Sequence, residues 1–267
     1  MSGHEAPLGP KHKLVQQARL LARERKEREA AGLAHMEGVR LVEEALAAGV
    51  EVAYLLYTPD LAERPRGAAL LRAAAARGVP LHAVTPAALE RAADTRTPQG
   101  VVGVFRPRRF GLDDLGPGLV LVLDGLQDPG NLGTAIRSLE ALGGGGAVVC
   151  GGADPLNPKV VRGAMGSLFR LPVVELGLGE ALAALRTRGR RIYVADAGGD
   201  LAPWDVDLAR GAAVVIGNEG AGPSPLARDC ADGVLSIPMV GPTESLNAAV
   251  AASLLLYEAL RQQGRGR

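Results

Sequence analysis

Apolar positions along this chain switch repeatedly between two periods. Short runs of valine, leucine and isoleucine alternate with stretches whose apolar positions recur every three or four residues. In the first half this pattern predicts a charged helix over residues 11–31 and a strand over 33–36. An amphipathic helix follows over 38–48, with Val39, Leu41, Val42, Ala45 and Leu46 inward, then a strand over 50–57. A helix over 68–77, stopped by Gly78, leads to a strand over 79–83. The next helix spans 86–93, with Thr85 as N-cap and Pro86 at its first position, and a strand over 101–105 closes the series.

The alternation then resumes with longer elements. Strands are predicted over 119–123, 147–150, 173–175, 191–195, 212–216 and 234–237. Helices are predicted over 131–142, 159–169 (capped by Asn157), 180–187 and 246–261. Strands that alternate with helices make an α/β fold with a mainly parallel sheet covered on both faces. The last helix is apolar nearly all round between Leu246 and Leu260, which buries it on more than one side and points to a subunit interface. Between the two series, Arg106-Pro107-Arg108-Arg109-Phe110-Gly111 and Leu115-Gly116-Pro117-Gly118 read as a linker. The expected division is a disordered tail over 1–10, a small α/β domain over 11–106, a linker over 107–117 and a larger domain over 118–267.

Composition narrows the class. Hydrophobic content of 47% and charged content of 22% in 267 residues are globular values. No apolar run reaches the roughly 20 residues of a membrane span, and the N-terminal residues lack a signal-peptide pattern, so a cytoplasmic protein is expected. Cys150 and Cys230 are too few for a disulfide framework and lack metal-ligand spacing. Both read as buried small apolar residues, and no metal is expected. The net charge of +1 does not announce a nucleic acid. Yet Lys11, Lys13, Arg19, Arg23, Arg25, Lys26 and Arg28 face only Glu24 and Glu27 in one segment. That segment is either a phosphate-contacting arm or a solvated helix face. Aromatic residues are 3% of the chain, so base stacking contributes little.

The chemistry concentrates in two loops. Gly217-Asn218-Glu219-Gly220-Ala221-Gly222-Pro223-Ser224-Pro225 and Ile237-Pro238-Met239-Val240-Gly241-Pro242-Thr243-Glu244-Ser245-Leu246-Asn247 each follow a short strand. Open α/β sheets bind ligands at such strand ends, and two neighbouring loops suggest one pocket. The glycine spacing is not the dinucleotide fingerprint, and no P-loop is present. All four histidines, His4, His12, His35 and His82, lie in the first half. The second half offers Asn131, Arg137, Glu219, Ser245, Asn247 and backbone amides. That set suits orientation and electrostatic stabilisation of a group transfer.

Three of these segments carry a resemblance. Asp128-Pro129-Gly130-Asn131, continuing to Arg137, resembles the first motif of the SpoU (TrmH-type) RNA ribose methyltransferases. Ile216-Gly217-Asn218-Glu219-Gly220-Ala221-Gly222 resembles the second. Ile237-Pro238-Met239, with Glu244-Ser245-Leu246-Asn247 and Tyr257-Glu258, resembles the third. Asn157-Pro158-Lys159-Val160-Val161-Arg162 joins them, and Met36-Glu37-Gly38 and Thr97-Pro98-Gln99-Gly100 are similar to the family's L30e-like substrate-binding domain. The resemblance implies a SPOUT fold with a C-terminal trefoil knot, a homodimer through the catalytic domain, and S-adenosylmethionine as cofactor. It places Gly217, Ile237, Met239 and Leu246 at the cofactor and Arg137, Asn131, Glu219, Ser245 and Asn247 in catalysis. A guanidinium does not give up its proton at ordinary pH, so Arg137 suits a clamp on the target phosphate better than a base. Asn131 is either a helix cap or a contact to Arg137 and RNA, and Glu219 orients Arg137 or a loop amide. Lys11, Lys13, Arg23, Arg25, Lys26 and Arg162 are the RNA-contact candidates. The expected reaction is methylation of a ribose 2′-hydroxyl in structured RNA, with 23S rRNA favoured over tRNA. A non-catalytic RNA-binding or assembly protein is the alternative.

Overall fold

The computed structural model describes residues 6–264. The chain forms two compact units: one holds the residues up to Arg108 plus Leu156–Phe169, the other Arg109–Pro155 and the residues from Arg170 onward. The expected division differs from this one in two places. The stretch 156–169, expected in the second domain, belongs with the first unit. Of the expected tail, residues 1–5 lie outside the described residues. Leu8 is held in place: its N–H donates to Ala83 at 2.8 Å, and Thr85 donates back to it at 3.0 Å.

The first unit begins with α1 (Lys13–Arg23) and α2 (Arg25–Ala31), followed by β1 (Ala34–Glu37), α3 (Val39–Ala47) and β2 (Val52–Tyr57). It continues through α4 (Pro59–Glu63), α5 (Pro65–Ala76), β3 (Leu81–Ala83), α6 (Pro86–Ala92) and β4 (Val101–Phe105). The strands form one sheet in the order β1-β4-β2-β3, with only β2 and β3 parallel. Both faces are covered. One face packs Leu41, Val42 and Ala45 of α3 with Leu70 and Ala74 of α5, and the other packs Val15, Ala18 and Leu21 of α1 with Ala88 and Leu89 of α6.

The expected single helix over 11–31 breaks at Glu24, whose extended backbone (φ −118°, ψ 116°) ends α1 and starts α2. Short α4, opened by Pro59, falls below the length at which periodicity is readable.

In the second unit β5 (Val120–Asp124) leads to α7 (Pro129–Ala141) and β6 (Gly146–Cys150). The chain then gives α8 (Pro158–Gly163) to the first unit, where Val161 and Phe169 join the core beneath α3. The expected helix over 159–169 ends early because Met165 (φ 48°) and Gly166 (φ 93°) turn left-handed. Beyond it come β7 (Val173–Glu175), α9 (Leu178–Thr187), β8 (Arg191–Ala195), β9 (Ala212–Ile216), α10 (Pro225–Asp229), β10 (Gly233–Leu235) and α11 (Ala248–Gln262). The six strands form a wholly parallel sheet in the order β10-β8-β9-β5-β6-β7. Strands β5, β6 and β9 are buried almost throughout, as expected for a parallel sheet covered on both faces. Chain order reverses on either side of β5, so the loops after β5 and β9 leave neighbouring strand ends, where doubly wound sheets bind ligands.

Candidate active site

The carboxyl ends of β8, β9 and β10 open into a cavity of about 530 Å³. Its lining includes Gly217, Ile237, Met239 and Leu246, the four expected cofactor contacts, together with Glu219, Ser245 and Asn247. Asp196, at the end of β8, also lines it. Asp196 was not among the expected site residues, although its place directly after a predicted strand is a signal present in the sequence.

The loop after β9 is fixed by its own hydrogen bonds. Asn218 and Gly222 exchange backbone bonds at 3.1 and 2.9 Å, and the Asn218 Oδ1 accepts from the amides of Gly220 and Ala221. The Asn218 amide nitrogen donates to Gly125 at 2.9 Å, and Ser224 N–H donates to Asp124 Oδ2 at 3.0 Å, tying the loop to the end of β5. Gly217 is required by this closure. A Cβ there would sit 2.1 Å from the nitrogen of Pro223 and 2.3 Å from the carbonyl carbon of Gly222. On the rim, Arg228 of α10 pairs with Asp196 at 2.5 Å.

A chain of side-chain hydrogen bonds runs along the mouth of the cavity. Asn247 Nδ2 donates to Asn131 Oδ1 at 2.9 Å, and Asn131 Nδ2 donates to Glu219 Oε1 at 2.9 Å. The two Glu219 oxygens also accept the amides of Gln127 (3.0 Å) and Asp128 (3.1 Å). Three segments far apart in sequence are thus joined: the turn from the loop after β5 into α7, the loop after β9 and the start of α11. Partial burial pushes the Glu219 carboxyl up, but the amides and the Asn131 side chain outweigh it and hold its pKa below the ordinary value. Glu219 therefore stays ionised near neutrality and is a poor proton acceptor there.

Three local assignments change. Asp128, not Asn131, caps α7: its Oδ1 accepts the Asn131 amide at 2.9 Å, with Pro129 at the first position. That frees the Asn131 side chain for the network. The last helix, expected from Leu246, starts at Ala248, and Asn247 caps it, its Oδ1 accepting from Ala249 and Val250. Ser245 is an exposed residue of the cavity wall. The expected contact of Arg137 with Glu219 or Asn131 is not formed, because both partners are engaged elsewhere. Arg137 is exposed and has no hydrogen bond or ion pair among the described residues. It points about 100° round α7 from Ser138, which bonds Ser253 of α11 at 2.8 Å.

The RNA-contact candidates divide as well. Lys11, Lys13, Arg23 and Lys26 are exposed, whereas Arg25 pairs with Glu29 at 2.6 Å. Arg28, counted in the basic segment, is buried and donates to the Leu21 carbonyl at 2.7 Å. Arg162 pairs with Asp94 at 2.8 Å within the first unit. Of the cysteines, Cys150 is buried and its thiol is pushed up to about 12 by burial, then by Asp124, while Cys230 is half-buried. Among the described residues no group of His, Cys, Asp or Glu could hold a metal ion, and no helix is long and apolar enough to cross a membrane.

A parallel sheet with a strand-end cavity of small-molecule size and a fixed polar network at its mouth defines an α/β protein with a small-molecule site. The model of the SpoU rRNA methylase family matches residues 118–257, and that of the MRM3-like substrate binding domain matches residues 13–103. An uncharacterized tRNA/rRNA methyltransferase of Synechocystis sp. is 34% identical over 94% of this chain and 91% of its own length. The 23S rRNA (uridine(2479)-2′-O)-methyltransferase of Streptomyces viridochromogenes is 44% identical over 56% of this chain and 54% of its own length. The crystal structure of the SpoU methyltransferase AviRb from Streptomyces viridochromogenes, in complex with AdoMet, superposes with a TM-score of 0.86 at 34% identity. It covers 96% of this chain and all of that one. The chain belongs to the SpoU rRNA methylase family.

Proposed function

We propose that this protein transfers the methyl group of S-adenosylmethionine to a ribose 2′-hydroxyl of ribosomal RNA, with 23S rRNA as the target. The observation that carries the reading is the Glu219–Asn131–Asn247 hydrogen-bond chain along the mouth of the strand-end cavity. It places polar groups from three motifs beside a space of about 530 Å³, within the usual range for a small-molecule site. The residues present fit the donor. Backbone amides and carbonyls of the loops after β9 and β10 suit an adenine edge, and Gly217 admits the close approach that a side chain would forbid. Gly217, Ile237, Met239 and Leu246 are the residues that would hold it. Bound there, S-adenosylmethionine supplies an electrophilic methyl group.

The protein side acts by positioning. Asn131 and Asn247 are held by Glu219 and by each other, so their remaining polar capacity is fixed in direction before substrate arrives. Ser245, on the cavity wall, is placed to meet the sugar hydroxyl. Arg137, permanently cationic and uncommitted, binds the phosphate of the target nucleotide.

The same reading includes a homodimer. Val250, Leu254 and Tyr257 leave α11 with an apolar stripe 43–53% exposed, opposite its buried residues Ala252, Leu255 and Ala259. A second copy would cover that stripe. A cytoplasmic location and the trefoil knot of the family belong to this reading too.

Incubation with tritiated S-adenosylmethionine and either rRNA or tRNA tests it. Label entering 23S rRNA is expected. Label confined to tRNA would overturn the target, and failure to bind the donor would overturn the activity.

A further inference from the structure

The basic residues of the first unit are not equivalent. Arg64, Arg66 and Arg106 each pair with a carboxylate. Arg19 and Arg23 do not. With Gln16 they fall on one edge of α1, at spacings of three and four residues. That edge borders the buried stripe of Val15, Ala18 and Ala22, and Val15 and Ala18 share a core with Ala88, Leu89 and Ala92 of α6. It therefore runs along the seam between the two helices. From the last turn of α6, Arg91 reaches across the seam and donates to Gln16 Oε1 at 3.5 Å.

Three guanidinia thus converge on one seam, and among the described residues no carboxylate pairs with any of them. Arg91 first, and Arg23 second, push the pKa of Arg19 down, as like charges do when nothing of opposite sign stands between them. Like charges so arranged oppose folding, and an anion bound between them reverses that effect. Arg19 and Arg23 lie about 6 Å apart along the helix axis, so they can address neighbouring phosphates of one strand. Guanidinium forks suit phosphate oxygens in two-point contact.

We propose that Arg19, Arg23 and Arg91 form a phosphodiester-binding site on the α1–α6 seam, through which the first unit grips the backbone of the RNA substrate. This deepens the proposed function and rests on it. The site differs from the sequence-based arm in two respects. It recruits Arg91, distant in sequence, and of the segment it keeps only Arg19 and Arg23: Arg25 and Arg28 are occupied within the fold, and Lys11, Lys13 and Lys26 lie off the seam edge.

The test uses the full chain with a 23S rRNA transcript, with binding measured across a series of salt concentrations. The triple variant R19Q/R23Q/R91Q is compared with R72Q/R77Q, which removes two exposed cations from α5 and its C-cap. Thermal unfolding checks that each variant folds. Each lost phosphate contact lowers the slope of log K against log salt by about 0.7 to 0.9. The triple variant is expected to lose about 2 to 3 in slope and to raise the KM for RNA at least tenfold, while R72Q/R77Q matches the wild type. An unchanged slope in the triple variant, or an equal loss in R72Q/R77Q, would overturn the site. A wild-type protein that binds no rRNA would overturn the proposed function itself, and with it this site.

Discussion

The substitution Asn131→Asp removes one hydrogen bond of the network without changing the size of the side chain. In the native protein Asn131 Nδ2 donates to Glu219 Oε1 at 2.9 Å, while its Oδ1 accepts from Asn247. An aspartate keeps the second contact and sets two carboxylates against each other in the first. Loss of a hydrogen bond to a charged group costs about 1.5–3 kcal/mol when fully desolvated, and about 1 kcal/mol is a fair figure for this exposed site. Like-charge repulsion near 4 Å in a watery setting adds about 1 kcal/mol. If Asn131 and Asn247 act by holding their positions, about 2 kcal/mol corresponds to a fall of about 30-fold in the transfer rate. Single-turnover methyl transfer at saturating RNA reads this directly. The defect also carries a pH signature. Two adjacent carboxylates raise one of their own pKa values, so the pair takes up a proton as pH falls and regains a donor. The ratio of variant to wild-type rate is therefore higher at pH 5.5 than at pH 8. A variant less than threefold slower at pH 8, or a defect independent of pH, would refute the positioning argument.

Other perturbations follow from the same geometry. Gly217→Ala forces Pro223 away from a Cβ that would lie 2.1 Å from its nitrogen, so calorimetry should show S-adenosylmethionine binding weakened at least tenfold; unaltered affinity would contradict the loop's role. His35 is buried with its Nδ1 unpartnered, and burial lowers its pKa to about 4 although Glu37, the Ala92 carbonyl and Asp94 raise it. An unfolded histidine titrates near 6.5, so the stability this group contributes is complete above that pH and falls as pH drops toward 4. The loss is about 2 kcal/mol at pH 5. Urea unfolding of the wild type and of His35→Leu at pH 7 and pH 5 should show the decline shrinking in the variant, and equal declines would contradict it. Leu254→Arg places a charge in the exposed stripe of α11 and should convert a dimer to a monomer in sedimentation, an outcome excluded if the wild type is itself monomeric.

Much of the fold was legible because its strands are short, apolar and separated by proline-started helices. Thr85-Pro86, Asp128-Pro129, Asn157-Pro158 and Ser224-Pro225 each open a helix with the side chain of the first residue as cap. The same rule makes Asp128 the cap of α7, since Pro129 stands two residues before Asn131. The ending of α8 was hidden because Met165, a non-glycine residue, takes a left-handed conformation that its type disfavours. The loops and their glycines were visible as a site, but their wiring was not. Asn131 meets residues 88 and 116 positions away, and spacing says nothing about partners at that range. Arg137 shows the converse. Its motif singled it out, yet the partners expected for it are committed to each other and to loop amides. The seam of Arg19, Arg23 and Arg91 was half visible, since α6 supplies its third member from far along the chain.

On the proposed function the methyl group goes to a ribose oxygen, not to a base. The direct measurement is alkaline hydrolysis of 23S rRNA labelled from S-adenosylmethionine with the methyl tritiated. A methylated 2′-oxygen cannot attack its neighbouring phosphate, so the bond on its 3′ side survives alkali. The label is expected in alkali-resistant dinucleotides. Label recovered in mononucleotides would mean base methylation, and would contradict the chemistry assigned to Asn131, Glu219 and Asn247.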